Sequence, residues 1–105
     1  LEIVQKYNEE KEICFITIAG RSNGLSGVVA ANSVHPVIAC PPFKDKSDYL
    51  VNIHSSLQMP SDTPVLTVLD PHNAASAAAR VLSIKNDKLR MKVRQKIDAV
   101  KKSFE

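Results

Sequence analysis

The stretch "ICFITIAGRSNGLSGVVAANS", Ile13 to Ser33, decides the fold. Its first part, Ile13–Ala19, is β-branched, apolar and nearly unbroken. A strand with one face in water alternates polar and apolar residues. An unbroken run reads as a strand covered on both faces, which is the habit of a parallel sheet. The run stops at Gly20, and Arg21, Ser22, Asn23 and Gly24 follow before a second apolar pattern begins. Leu25–Ser33 then reads as a short helix whose small residues allow close packing on the sheet. The chain has three glycines, Gly20, Gly24 and Gly27, and all of them fall in this stretch. Glycine is used where backbone freedom or close approach is needed. The turn is therefore either a plain tight turn or one that holds something.

Working outward, the same alternation continues. Upstream, "LEIVQKYNEEKE" reads as the second half of an amphipathic helix with Ile3, Val4 and Tyr7 on one face. A first residue other than Met, inside such a pattern, leads us to expect that the beginning of the domain is absent. Downstream, Pro36–Cys40 is a second short buried strand, and Pro41–Asp48 is a loop, with two prolines and several charges. Tyr49–Leu57 spaces Leu50, Ile53 and Leu57 as a helix face, with Asp48 or Ser47 as its N-cap. Gln58–Pro64 is again a loop, and Val65–Leu69 is a third buried strand. Asp70–Ile84 opens with Asp then Pro, the N-cap and N1 pattern of a helix, and continues in an alanine run of high helix propensity. In the last helix, Leu89, Val93, Ile97, Val100 and Phe104 recur at helical spacing among basic residues. The order α-β-α-β-α-β-α-α predicts a three-layer parallel α/β fold in a single domain over residues 1–105.

The totals bound the function. A chain of 105 residues with 44% hydrophobic and 24% charged residues can bury a core and is not disordered by composition. A net charge of +3 is too small to argue for nucleic acid, and the basic last helix lacks interleaved aromatics. That helix reads as a solvated face with an apolar stripe that docks on the domain or on a neighbouring subunit. Cys14 and Cys40 sit in strand-like runs and read as buried, reduced thiols. No apolar run is long enough to cross a membrane and no signal-peptide pattern opens the chain, so a cytoplasmic location is expected.

In open parallel sheets, ligands bind beyond the carboxyl ends of the strands. The loops leaving those ends are Gly20–Gly24, Pro41–Asp48 and Asp70–Asn73. The first has the contents of an anion-friendly turn: small residues, donors from Ser22 and Asn23, the Arg21 fork, and the start of a helix behind them. It is neither a dinucleotide fingerprint nor a P-loop. A second polar cluster, "HSSLQMPS" at His54–Ser61, either lines a pocket or only ends a helix before proline. His35, His54 and His72 are scattered, and no spacing marks a metal site. No serine sits in a nucleophile elbow, and Cys40 has no base near it in sequence.

Four blocks, "AGRSNGLSG", "PVIACPP", "SSLQMPS" and "NAASAAARVLS", in this order and spacing, resemble the phosphoribosylaminoimidazole carboxylase family of de novo purine synthesis. The resemblance spans about Ile13 to Ile84. It is closer to the second class, which uses carbon dioxide directly. In animals that class is fused to a succinocarboxamide synthetase domain. The first class carries a glycine- and alanine-rich segment with a histidine where this chain has "GRSNGLSG". The resemblance implies a flavodoxin-like three-layer α/β domain assembled as a symmetric octamer, with active sites at subunit junctions. It implies carboxylation of 5-aminoimidazole ribonucleotide by carbon dioxide, with no metal or organic cofactor.

The implied substrate-binding residues are Gly20, Arg21, Ser22, Asn23 and Gly24 in the first block, and Ser55, Ser56, Met59 and Pro60 in the third. The family's N-terminal phosphate loop and the Ala-His-Lys segment that supplies its proton-transfer histidine have no match here. No catalytic residue is therefore assigned in this chain. The chain is expected to be the C-terminal part of the domain and to be inactive alone. The competing expectation is a non-catalytic α/β oligomerisation or ligand-binding module that keeps the scaffold. A basic nucleic-acid-binding domain is the third, and its mark would be binding lost with rising salt.

Overall fold

The computed structural model describes residues 1–19 and 24–105. Strands β1 (Phe15–Thr17), β2 (Val37–Ala39) and β3 (Leu66–Thr67) form one parallel sheet in the order β1-β2-β3. Ile38 of the central strand is level with Ile16 on one side and Leu66 on the other. Helices α1 (Glu2–Tyr7), α2 (Gly24–Asn32), α3 (Lys46–Asn52), α4 (His54–Leu57), α5 (Pro71–Leu82) and α6 (Asp87–Lys102) complete the expected alternation. A 3-10 turn, Ser83–Lys85, separates the last two helices.

The pleat sorts the core into two clusters. On one face Val37 packs with Val4 of α1 and with Val29 and Ala30 of α2, and Phe15 and Val65 close the edges. On the other face Ile38 and Cys40 meet Ala74 and Ala78 of α5. Alanine at these positions lets the α5 backbone lie close to the sheet. Every residue of β2 is buried, and Ile38 and Ala39 are fully inaccessible. This is the three-layer α/β architecture that the sequence predicts.

Several local expectations need correction. β1 and β3 are not covered on both faces: Ile16 and Leu66, level with the buried Ile38 in the sheet, stay exposed, as does Ile18. Of the expected α1 face only Val4 is buried, while Ile3 and Tyr7 are exposed. The single helix over Tyr49–Leu57 is two short helices, and of the expected apolar face only Ile53, at their junction, is buried; Leu50 and Leu57 are exposed. The N-cap of α3 is Asp45 rather than Ser47 or Asp48. Its carboxylate accepts from the Asp48 amide at 2.8 Å, and the Asp48 carboxylate accepts from the Lys44 amide at 2.9 Å. The two aspartates thus share the helix start, as the residues of a capping box do. At α5 the expected cap holds, with the Asp70 carboxylate accepting from the Asn73 amide at 3.1 Å and Pro71 at the first position.

The last helix carries its stripe only partly covered. Leu89, Val93 and Ile97 are half-buried, whereas Val100 and Phe104 are exposed. Asn86 caps the helix by accepting from the Leu89 amide at 3.0 Å.

Candidate functional site

Parallel strands place all their carboxyl ends on one edge of the sheet, and the helices that follow begin there. The helix α2 starts at Gly24, after the turn that leaves β1, so its N-terminal amides and positive dipole end lie on that edge. Beyond the strand ends is an apolar cavity of about 360 Å³ lined by Ile18, Cys40, Pro41, Phe43, Leu69 and Pro71. Its floor is tied down by the sheet and its margin. The Cys40 amide donates to the Thr17 carbonyl at 2.8 Å, and the Cys40 thiol donates to the Leu69 carbonyl at 3.5 Å. Phe43 meets Tyr49 edge-on, with ring centroids 5.3 Å apart, which holds the proline loop against α3.

A second cleft, of about 440 Å³, joins two of the sequence blocks. Gly24, Gly27, Val28, Ala31 and Asn32, along the length of α2, form one wall, and Ser55, Gln58, Met59 and Pro60 form the other. A Cβ at Gly24 would meet nothing within 4 Å, so this glycine leaves the helix start open to the cleft. A Cβ at Gly27 would touch the Met59 sulfur at 3.6 Å. The thioether therefore packs on the helix backbone and sets the spacing of the two walls. Neither of these glycines has a positive φ, so their role is space rather than backbone freedom.

The expected site residues divide as follows. Gly20, Arg21, Ser22 and Asn23 lie outside the described residues. Gly24, Ser55, Met59 and Pro60 come together in the cleft. The Ser55 hydroxyl donates to the Asn52 carbonyl at 2.9 Å, across the junction of α3 and α4. Ser56 is buried and lines a neighbouring cavity of about 490 Å³ with Leu57, Pro64 and Val65.

The histidines stand apart from the cleft. The His35 Nε2 lies 2.6 Å from the Tyr7 carbonyl, and its ring lies near Phe15. His72 borders the groove between α5 and α6, and His54 is exposed. Among the described residues no group of three or more His, Cys, Asp or Glu could hold a metal ion. No described helix is long and apolar enough to cross a membrane.

Two residues that the sequence reading passed over sit at the root of the turn. Thr17, the last residue of β1, and Ser26, in the first turn of α2, are both buried, with their hydroxyl oxygens 2.5 Å apart. The only signal in the sequence is a hydroxyl on each side of a glycine-bounded turn.

Comparison with known proteins points one way. A family model described as AIR carboxylase matches residues 1–103. A phosphoribosylaminoimidazole carboxylase from Archaeoglobus fulgidus is 46% identical over 95 residues, which are 90% of this chain and 52% of that protein. A bifunctional phosphoribosylaminoimidazole carboxylase/phosphoribosylaminoimidazole succinocarboxamide synthetase from Drosophila melanogaster is 40% identical over 108 residues, 98% of this chain and 25% of that protein. The crystal structure of PurE from Treponema denticola superposes with a TM-score of 0.86 at 35% identity, over 98% of this chain and 65% of that one. The chain thus spans about half the length of the archaeal relative and a quarter of the bifunctional one.

Proposed function

Since the chain belongs to the AIR carboxylase family, we propose that it forms part of an enzyme that carboxylates 5-aminoimidazole ribonucleotide to 4-carboxy-5-aminoimidazole ribonucleotide in de novo purine synthesis. The carboxyl donor is carbon dioxide, as the second-class character of the Gly20–Gly24 segment implies. One observation carries the reading. Gly24 of the first block and Ser55, Met59 and Pro60 of the third line one cleft, which runs along α2 from Gly24, on the ligand-binding edge of the parallel sheet, to Asn32.

The chemistry suits this place. The nucleophilic ring carbon of the substrate attacks carbon dioxide, and a neutral gas becomes a carboxylate. The ring carbon then loses its proton to restore aromaticity. The developing negative charge needs hydrogen-bond donors, here the side chains of the Gly20–Gly24 segment and the N-terminal end of α2. Gly20, Arg21, Ser22, Asn23 and Gly24 supply this contact, with Ser55, Ser56, Met59 and Pro60 as the facing wall. The proton acceptor is not assigned to His35, His54 or His72, none of which lines the cleft. The working unit is a homo-oligomer, an octamer by resemblance, in the cytoplasm.

The test is direct. The full-length protein that carries this chain is assayed for carbon dioxide-dependent carboxylation of 5-aminoimidazole ribonucleotide. Turnover is expected, with Ser22→Ala and Gly24→Val each lowering kcat/KM by about 10-fold or more. No turnover by the full-length protein, with carbon dioxide or with bicarbonate, would sink the reading.

A further inference from the structure

The chain that follows α4 has no regular structure until β3. In its first part Leu57, Gln58, Pro60, Ser61 and Asp62 are exposed, and Met59 alone among them is half-buried. Met59 is seated on α2, where its sulfur lies 3.6 Å from the position that a Cβ would take at Gly27. Gly27 sits inside the helix Gly24–Asn32 and its φ is not positive, so the backbone does not call for glycine there. Glycine inside a helix is less favourable than alanine. An alanine Cβ would make only an ordinary contact with the Met59 sulfur. A larger side chain competes with the thioether for the same space, most of all a β-branched one, whose two γ carbons are stiffly held. The helix thus carries a residue that costs it stability at the point where the facing wall is seated.

We infer that Gly27 and Met59 are a positioning pair: the bare helix surface at Gly27 seats the Met59 thioether, and that seat sets how far the Ser55–Pro60 wall stands from α2. This rests on the function proposed above, in which the cleft contributes to the ribonucleotide site. Gly27 acts through Met59, and the pair acts through the width of the cleft. A wall in the wrong place loses contacts made alike in the ground state and the transition state, so the pair governs binding of the ribonucleotide rather than the chemical step. Methionine suits the part, because its unbranched chain adapts to the surface it packs on.

The experiment uses the full-length protein and separates KM for the ribonucleotide from kcat. The effect at Gly27 should follow size: Gly27→Val raises KM about 10-fold and Gly27→Ala by less than about 3-fold, with kcat changing by less than about 2-fold. Met59→Ala removes the seated group and should also raise KM about 10-fold. Met59→Leu restores the bulk and should recover most of that loss. The double variant Gly27→Val/Met59→Ala should have a KM no higher than the worse single, because a side chain at Gly27 has no thioether left to displace. A merely structural defect behaves differently: it lowers the active fraction, and so the apparent kcat, at unchanged KM.

The inference is overturned if folded Gly27→Val and Met59→Ala keep KM within about 2-fold of the parent, or if they lower kcat with KM unmoved. It is equally overturned if Met59→Leu is as impaired as Met59→Ala, or if the two losses multiply in the double variant. If Gly27→Val does not fold, the two Met59 variants decide by the same criteria. In each of these cases the parent still turns over and the proposed function stands. No turnover by the parent is the failure of that function, and the inference falls with it.

Discussion

Cys40 closes the central strand, with its thiol on the Leu69 carbonyl and its amide on the Thr17 carbonyl. Burial pushes this thiol above its ordinary value, and the charge of Asp70 adds to the effect. Burial alone raises Cys14. The folded chain thus holds thiol protons that the unfolded chain releases from about pH 9.0, the ordinary value. Between the unfolded and folded values the native state binds more protons, so stability falls as pH rises there and is fully present below. The thermal midpoint of the parent is therefore expected to drop more steeply from pH 8 to pH 10 than that of Cys14→Ala/Cys40→Ala. Parallel curves for the two proteins would remove the thiols from the account. Raised thiol values also make both groups poor nucleophiles at neutral pH, in line with their reading as structural cysteines.

Among the elements, α3 and α5 show how much of a helix is written locally. The Asp70-Pro71 start of α5 was legible, because one capping residue directly precedes one proline that prefers the first position. At α3 three capping residue types, Asp45, Ser47 and Asp48, crowd four positions. Which of them caps depends on where the Pro41–Pro42 loop lets the helix begin, and local preference does not decide that. The split into α3 and α4 was illegible for a similar reason. A helix of seven residues and another of four keep the same apolar spacing as one longer helix. Asp45→Ala and Asp70→Ala are each expected to cost about 1 kcal/mol, whereas Ser47→Ala should change stability by less than about 0.5 kcal/mol. Urea denaturation measures all three. A loss at Ser47 as large as that at Asp45 would contradict the capping seen here.

For the whole molecule, the radius of gyration is 15.5 Å, against about 13 Å for a compact chain of this length. The excess goes with α6, which has no buried residue and leaves Met91, Val100 and Phe104 exposed. Ile16, Ile18 and Leu66 add apolar surface at the outer strands. Apolar surface on this scale favours association in water. Sedimentation velocity of the full-length protein is expected to give an assembly larger than a dimer, as an octamer requires. A monomer at micromolar concentration would count against the assembly proposed above. The basic residues of α6 help keep such an assembly soluble and do not by themselves call for a nucleic-acid partner.

The alternation of helices and strands, the parallel sheet, the buried central strand and the Asp70 cap were all determined by the sequence alone. Each rests on short-range physics: apolar runs, turn chemistry and capping act over a few neighbouring residues. The four sequence blocks also carried the family. The tertiary structure alone decided what lies against what. It brought Gly27 against Met59, far away in the chain, set Gly24 on the same cleft, and tied Thr17 to Ser26. It also left β1 and β3 open on one face, where the unbroken apolar runs predicted cover on both. Such features depend on how helices cross a sheet and how far each one reaches over it. That geometry comes from packing between distant residues, and no local pattern records it.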